Sequence, residues 1–187
     1  ELGSIAERLN AITLEVVEPP VRLVKTIGDA VMLVSPDSDA LIDAALTLVE
    51  AVNNEPEGFP QLSAGIAVGE ALLRGGDVYG PPVNYASRLC DVARPGAVVT
   101  TGELHERYER AYDWSEIGKR RFKGIEQPLE IFRARARGGR EREKAVAKAH
   151  EEAEREHKRA EREREKALAA AEKTSGKTAK ERERIAK

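Results

Sequence analysis

The sequence predicts an α+β domain followed by a long charged helix, and three observations carry that prediction. Segments with helical spacing of apolar residues are interleaved with short runs rich in β-branched residues. Two of those runs, 21–27 and 30–34, are separated only by Gly28-Asp29, the signal of a tight antiparallel hairpin. After Ala136 the composition changes abruptly to Glu, Arg, Lys and Ala. Mixed helices and strands with a hairpin favour a sandwich built on a mainly antiparallel sheet over a doubly wound parallel one.

Ile5, Leu9, Ile12 and Val16 form one apolar helix face, opened at Gly3-Ser4 and ended by Pro19-Pro20. The hairpin strands 21–27 and 30–34 come next. Pro36-Asp37-Ser38 starts a helix to about Val52, on the repeat Leu41, Ala45, Leu48, Val52. Residues 61–73 read as strand material, and Arg74-Gly75-Gly76 breaks the pattern. Pro81 and Pro82 suit the first turn of a helix to about Val92. Arg94-Pro95-Gly96 is a turn, 97–100 a strand and 102–110 a short helix. The stretch from Tyr112 to Arg133 holds two more strands around a Lys/Arg-rich loop. Cys90 reads as a small buried hydrophobe, and His105, His150 and His157 stand in polar surroundings without metal-ligand spacing.

The organisation is thus a domain over 1–136 and a charged tail over 137–187. Residues 137–187 hold 17 Lys and Arg against 12 Asp and Glu, net +5, which leaves 14 basic and 21 acidic residues in 1–136, net −7. An acidic body argues against a general nucleic-acid binder. Residues 140–173 contain no Pro or Gly, and Val146 and Leu168 are their only large apolar residues, too few for a coiled-coil seam. Glu151–Arg155 and Glu154–Lys158 have the favourable i,i+4 order, so a solvated single helix about 50 Å long is expected. One cysteine allows no internal disulfide and fits a reducing compartment. No stretch approaches the ~18 apolar residues of a membrane span, and no signal peptide opens the chain. A cytoplasmic domain without membrane contact is expected.

Three segments carry chemistry: Lys25-Thr26-Ile27-Gly28-Asp29-Ala30, then Gly76 to Arg88 (GDVYGPPVNYASR), then Phe122-Lys123-Gly124. Lys25 is in phase with Val21, Leu23 and Ile27, and a lysine on an apolar strand face needs a partner or a ligand. Asp29 at the hairpin tip either makes a turn hydrogen bond or binds something. Asn84 and Arg88 share a helix face at a Pro-marked start, where they could cradle a polyphosphate or simply pair at the surface, whereas Val83, Ala86 and Cys90 point elsewhere. Lys123 lies in a basic loop of the kind that is usually solvated.

Taken as an ordered set, these strings resemble the catalytic domain of class III adenylyl/guanylyl cyclases, over roughly residues 1–134. The resemblance implies a ferredoxin-like α/β sandwich that forms a head-to-tail homodimer, with active sites shared between protomers. It implies two divalent ions, Mg²⁺ or Mn²⁺, with Asp29 matching the second metal aspartate. Lys25 and Asp77 match the pair that reads the base, Asn84 and Arg88 the residues that orient the ribose and stabilise the transition state, and Lys123 a phosphate-contacting lysine. Arg74 matches a further phosphate-contacting arginine, with looser spacing. The implied reaction turns ATP into cyclic AMP and pyrophosphate, by attack of the ribose 3′-OH on the α-phosphate. A carboxylate at Asp77 accepts from the adenine amino group and repels guanine O6, while Lys25 donates to a ring nitrogen, so ATP is expected over GTP.

The family domain normally opens on a strand with a motif resembling F-x-D-x-x-G-F, which bears the first metal aspartate. Nothing similar precedes Ile5. The resemblance therefore implies a domain lacking its first strand and one metal ligand. A non-catalytic cyclase-like module that binds nucleotide is the competing reading, and a guanylyl cyclase another. A third places the function in the charged helix. The retained set of Lys25, Asp29, Asp77, Asn84, Arg88 and Lys123 speaks for the enzyme.

Overall fold

The structure is a computed structural model that describes residues 2–139 together with Lys148, Arg155, Lys158, Arg159 and Arg162. The chain divides into two compact units, Glu1–Arg140 and Glu141–Lys187. In the second unit the five described residues are helical and exposed. The rest of the helix expected over 140–173, with His150 and His157, lies outside the described residues.

The first unit runs α1 (Leu2–Val16), β1 (Arg22–Ile27), β2 (Ala30–Val34), α2 (Ser38–Asn53), β3 (Ala64–Ile66), β4 (Leu72–Arg74), β5 (Asp77–Tyr79), α3 (Pro81–Val92), β6 (Val98–Thr101), α4 (Gly102–Arg107), β7 (Asp113–Arg120) and β8 (Leu129–Arg135). The strands form a four-stranded sheet in the order β3-β6-β8-β7 and two ribbons, β1-β2 and β4-β5. Every pairing is antiparallel except β3 with β6. This is the α+β class that the sequence predicts.

Alternation along the central strands makes both faces of the four-stranded sheet apolar. Val98 of β6 and Ala134 of β8 meet Ile42, Ala45 and Val49 of α2 on one face. Their neighbours Val99 and Ile131 meet Leu89 of α3 on the other. Val98, Val99, Ile131, Leu89 and Ile42 are at most 1% exposed, and burying each such side chain is worth about 1.5–3 kcal/mol. A second layer joins Leu9 and Ile12 of α1 to Leu48 and Val52 of α2, with Val31 and Leu33 of β2 packed against them.

Local chemistry sets the helix ends. Asp37 caps α2, its carboxylate accepting from the amides of Asp39 at 2.9 Å and Ala40 at 3.3 Å. Pro81 and Pro82 occupy the first turn of α3, where a missing N–H costs nothing. The Arg8 guanidinium grips Glu55 with two hydrogen bonds of 2.9 and 2.7 Å, tying α1 to the loop after α2.

The structure departs from the sequence expectations at particular points. Arg74-Gly75-Gly76 does not end the strand region but turns it back: Gly75 and Gly76 take φ of 60° and 82°, and the chain returns as β5. Two consecutive positive-φ residues are what a two-residue hairpin turn needs. The short helix stops at Arg107 rather than Arg110. In β1 the register passes from Leu23–Leu33 directly to Lys25–Met32, a bulge at Val24, so simple alternation does not set the direction of Lys25. Cys90 is half-buried rather than fully buried, its thiol 3.5 Å from the Ser63 carbonyl that it donates to. His105 is not in polar surroundings: its ring stacks on Phe132 at 4.1 Å and meets Trp114 edge-on at 5.3 Å.

One glycine fixes how closely α3 approaches the sheet. A Cβ on Gly65 of β3 would lie 2.2 Å from the Ala86 carbonyl oxygen and 2.4 Å from the Cys90 amide nitrogen, both backbone atoms of α3. Gly65→Ala is therefore expected to force the helix off its strand and destabilise the domain by at least about 2 kcal/mol. Chemical denaturation followed by circular dichroism measures this, and an unchanged midpoint would rule out the close approach.

Candidate functional site

The three motif segments meet on the outer side of α3. A cavity of about 620 Å³ is lined by Lys25 of β1, Val78 and Tyr79 of β5, Gly80, Pro81, Val83, Asn84 and Tyr85 at the start of α3, and Gly124. That volume suits a small ligand. The lining joins the first motif to the second and to the loop between β7 and β8.

Lys25 and Asp77 are paired. The lysine Nζ donates to Asp77 Oδ2 at 2.6 Å, although 52 residues separate them in the chain. Both side chains are partly exposed, at 39% and 25%. The second carboxylate oxygen, Oδ1, accepts from the Val78 amide at 2.8 Å. The hydrogen bond from Lys25, and then that from the Val78 amide, hold the Asp77 carboxyl below the usual carboxylate range against the opposing effect of burial. Val78 itself is 4% exposed and points into the domain, so Asp77 and Tyr79, two apart on β5, face the other way.

The remaining predicted residues divide into two groups. Asn84 lines the cavity from the first turn of α3, and Val83 beside it does so too, contrary to the expectation that it points elsewhere. Arg88 lies one turn further on, exposed, its Nη1 donating to Asp91 Oδ2 at 3.2 Å. Lys123 is exposed immediately before Gly124, in a turn closed by the Ile125 amide on the Phe122 carbonyl at 3.2 Å. Arg74 is the cross-strand partner of Asp77 on β4 and is exposed. Asp29 sits exposed at the tip of the β1-β2 hairpin, after Gly28 with φ of 60°. Asp29, Arg74, Asp77, Arg88 and Lys123 do not line the cavity that Lys25 and Asn84 share, although Asp77 is bonded to Lys25.

Tyr79 and Tyr85 belong to the cavity, and sequence reasoning does not single them out. A signal for Tyr79 exists all the same: with Gly75-Gly76 taken as a hairpin turn, a residue two beyond Asp77 falls on the same strand face.

For a divalent ion the donor set is thin. Among the described residues no group of three or more His, Cys, Asp or Glu is disposed to hold a metal. Asp29 is the one carboxylate that the resemblance assigns to a metal.

No family model matches the chain. Relatives and solved structures do. Over 140 residues, 72% of this chain, it is 46% identical to a protein of Mycobacterium tuberculosis (strain CDC 1551 / Oshkosh) named a pH-sensitive adenylate cyclase. Over 111 residues, 59% of this chain, it is 38% identical to an adenylate cyclase of Streptomyces griseus. The chain spans 35% and 28% of the lengths of those two relatives. An adenylate/guanylate cyclase/hydrolase from Silicibacter pomeroyi has the same fold, with a TM-score of 0.59 at 22% identity, over 71% of this chain and 82% of that one. In fold and in sequence the chain resembles the catalytic domains of class III adenylyl/guanylyl cyclases. Both sequence relatives are named adenylate cyclases.

The Lys25–Asp77 pair makes a measurable prediction. A depressed carboxyl contributes stability above its ordinary range and loses that contribution as pH falls through its folded-state value. Lys25→Met removes the first cause of the depression. The Asp77 carboxyl, followed by carbon-13 NMR, should then titrate closer to the ordinary value of about 3.9. An unmoved midpoint would show that the two side chains are not paired in solution.

Proposed function

We propose that this domain is an adenylyl cyclase, a phosphorus–oxygen lyase that converts ATP to 3′,5′-cyclic AMP and pyrophosphate in cytoplasmic signalling. The observation that carries the reading is the Lys25–Asp77 pair, whose lysine lines a cavity together with Asn84 and the Gly124 turn. The names of the two relatives support it.

The residues divide the work by their chemistry. A carboxylate accepts and an ammonium donates, so Asp77 takes the adenine amino group and Lys25 a ring nitrogen. Guanine places an acceptor where adenine has its amino group, so the same pair disfavours GTP. Asn84, with a donor and an acceptor at one end, orients the ribose. The 3′ oxygen forms a bond to the α-phosphorus, the bond from that phosphorus to the oxygen bridging to the β-phosphate breaks, and pyrophosphate leaves as the 3′-OH proton is lost. Arg88 neutralises the charge that builds on the phosphoryl oxygens, and Lys123 and Arg74 hold the phosphates. Nucleophile and electrophile belong to one flexible molecule, so holding base, ribose and phosphates together lowers the entropic part of the barrier.

The site is a shared one in this reading, in a homodimer. Arg88, Lys123, Arg74, Asp77 and Asp29 do not line the cavity of a single copy. Beside that cavity the β4-β5 ribbon exposes Leu72, Leu73 and Tyr79 at 63%, 59% and 52%, and the β1 tip exposes Ile27 at 57%. Apolar surface of this kind suits a second copy of the chain. Asp29 is assigned to metal binding on the resemblance, and a divalent ion held there would neutralise charge on the phosphates. Among the described residues no helix is long and apolar enough to cross a membrane.

The test is cyclic AMP formation from ATP in the presence of Mn²⁺, with ATP binding measured in parallel. Arg88→Ala and Asn84→Ala are expected to lower turnover by about a hundredfold or more while ATP still binds. Binding of ATP without turnover in the unmodified chain, and in one extended upstream, would instead establish a non-catalytic nucleotide-binding module.

A further inference from the structure

Two tyrosines line the cavity beside Lys25 and take no part in the chemistry proposed for it. The chain has four tyrosines and is poor in aromatic residues, which make up 4% of it. Tyr108 and Tyr112 meet ring to ring, and Tyr112 also meets Trp114. Tyr79 and Tyr85 instead line the cavity, from the end of β5 and the first turns of α3. Among the described residues no aromatic ring lies against either of them.

Tyr79 is the better placed of the two. It stands two residues beyond Asp77 in β5, and a strand sends alternate side chains to one face. Val78 between them is 4% exposed and turns into the domain. Tyr79 is 52% exposed, against 8% for the packed Tyr112. Lys25 and then the Val78 amide do most to lower the Asp77 carboxyl, against the effect of burial, and the Tyr79 hydroxyl lowers it a little further. The tyrosine therefore stands beside the carboxylate that Lys25 engages at 2.6 Å. Leu72, its cross-strand partner, is 63% exposed and continues the apolar surface across the ribbon.

A nucleobase has an edge and a face, and they are recognised differently. Donors and acceptors read the edge, whereas an aromatic side chain covers the face by stacking. The Lys25–Asp77 pair supplies the first kind of contact, and an uncovered ring on the same strand face as Asp77 can supply the second. We infer that Tyr79 is the stacking residue for the purine whose edge Lys25 and Asp77 read, an inference that rests on the nucleotide reading proposed above. The ring gives nothing to phosphates, so its contribution goes to the base. Purines present a larger π-face than pyrimidines, so the ring favours purine nucleotides as a class, while the Lys25–Asp77 pair separates adenine from guanine. The hydroxyl is secondary in this role, because its effect on Asp77 is the smallest of those acting there.

Calorimetry on the full chain tests this with two probes, ATP and inorganic tripolyphosphate, which carries the charge without the base. Tyr79→Leu keeps apolar bulk and removes the ring, and Tyr79→Phe keeps the ring and removes the hydroxyl. Tyr79→Leu should weaken ATP by about tenfold or more and leave tripolyphosphate unchanged. Tyr79→Phe should bind ATP as the unmodified chain does. Undiminished ATP affinity in Tyr79→Leu would overturn the inference. So would a parallel loss of tripolyphosphate, which would make Tyr79 a structural or interface residue. If the unmodified chain binds no ATP, the nucleotide reading itself fails, a result distinct from either of these, and the stacking role falls with it. A second measurement needs no substituted protein to fold. In the unmodified chain, carbon-13 labelled at tyrosine, ring signals of a cavity tyrosine should shift upfield with ATP and stay in place with tripolyphosphate. Signals that ATP leaves unmoved would overturn the inference equally.

Discussion

The architecture depends on a four-stranded sheet that must be covered on both faces. Val98 and Val99 are adjacent in β6, and a strand sends adjacent side chains to opposite faces, so each needs its own layer. α2 supplies one and α3 the other. The two layers differ in how near they come. α2 packs through side chains such as Ile42 and Val49, whereas α3 lies against the backbone of Gly65. Only a residue without a Cβ permits that approach.

The position of α3 sets the geometry of the site. With its flank fixed by Leu89 and Gly65, the opposite face of its first turn carries Asn84 toward the cavity. The β4-β5 ribbon delivers Asp77 just before the same helix, and Gly80, with φ of 142°, makes the passage from strand to helix. A Cβ there would lie 3.0 Å from the Glu70 carbonyl oxygen, so this glycine serves a tight crossing. Lys25 reaches Asp77 from a different ribbon. A salt bridge between partly exposed groups adds little to stability, so the pair is better understood as a fixed donor–acceptor pattern than as a structural tie.

Legibility in the sequence tracks the range of the interaction concerned. The β1-β2 hairpin, the capped start of α2 and the Pro-marked start of α3 all rest on neighbours within a few residues, and all lie where the sequence places them. The β4-β5 hairpin escapes a sequence reading because Gly75-Gly76 looks like a break, although paired glycines also make the tightest reversal. The bulge at Val24 is invisible for another reason. An extra residue in one strand is defined only against its partner, and alternation within a single strand does not contain that information. His105 is misjudged from sequence because its chain neighbours are polar, whereas its actual neighbours, Phe132 and Trp114, come from β8 and β7.

By itself the sequence determined the α+β class and the order of the elements apart from the β4-β5 hairpin, and it holds the charged and polar residues of the three motifs. These derive from local periodicity, turn chemistry and the functional groups themselves. Only the tertiary structure decided that Lys25 and Asp77 meet at 2.6 Å, that Asn84 shares the cavity lined by Lys25 while Asp29, Arg74, Asp77, Arg88 and Lys123 do not line it, and that Tyr112 falls between two carboxylates of α2. Each of those contacts joins elements far apart in the chain. Their separation in space is set by how sheet and helices pack, and no local repeat encodes it.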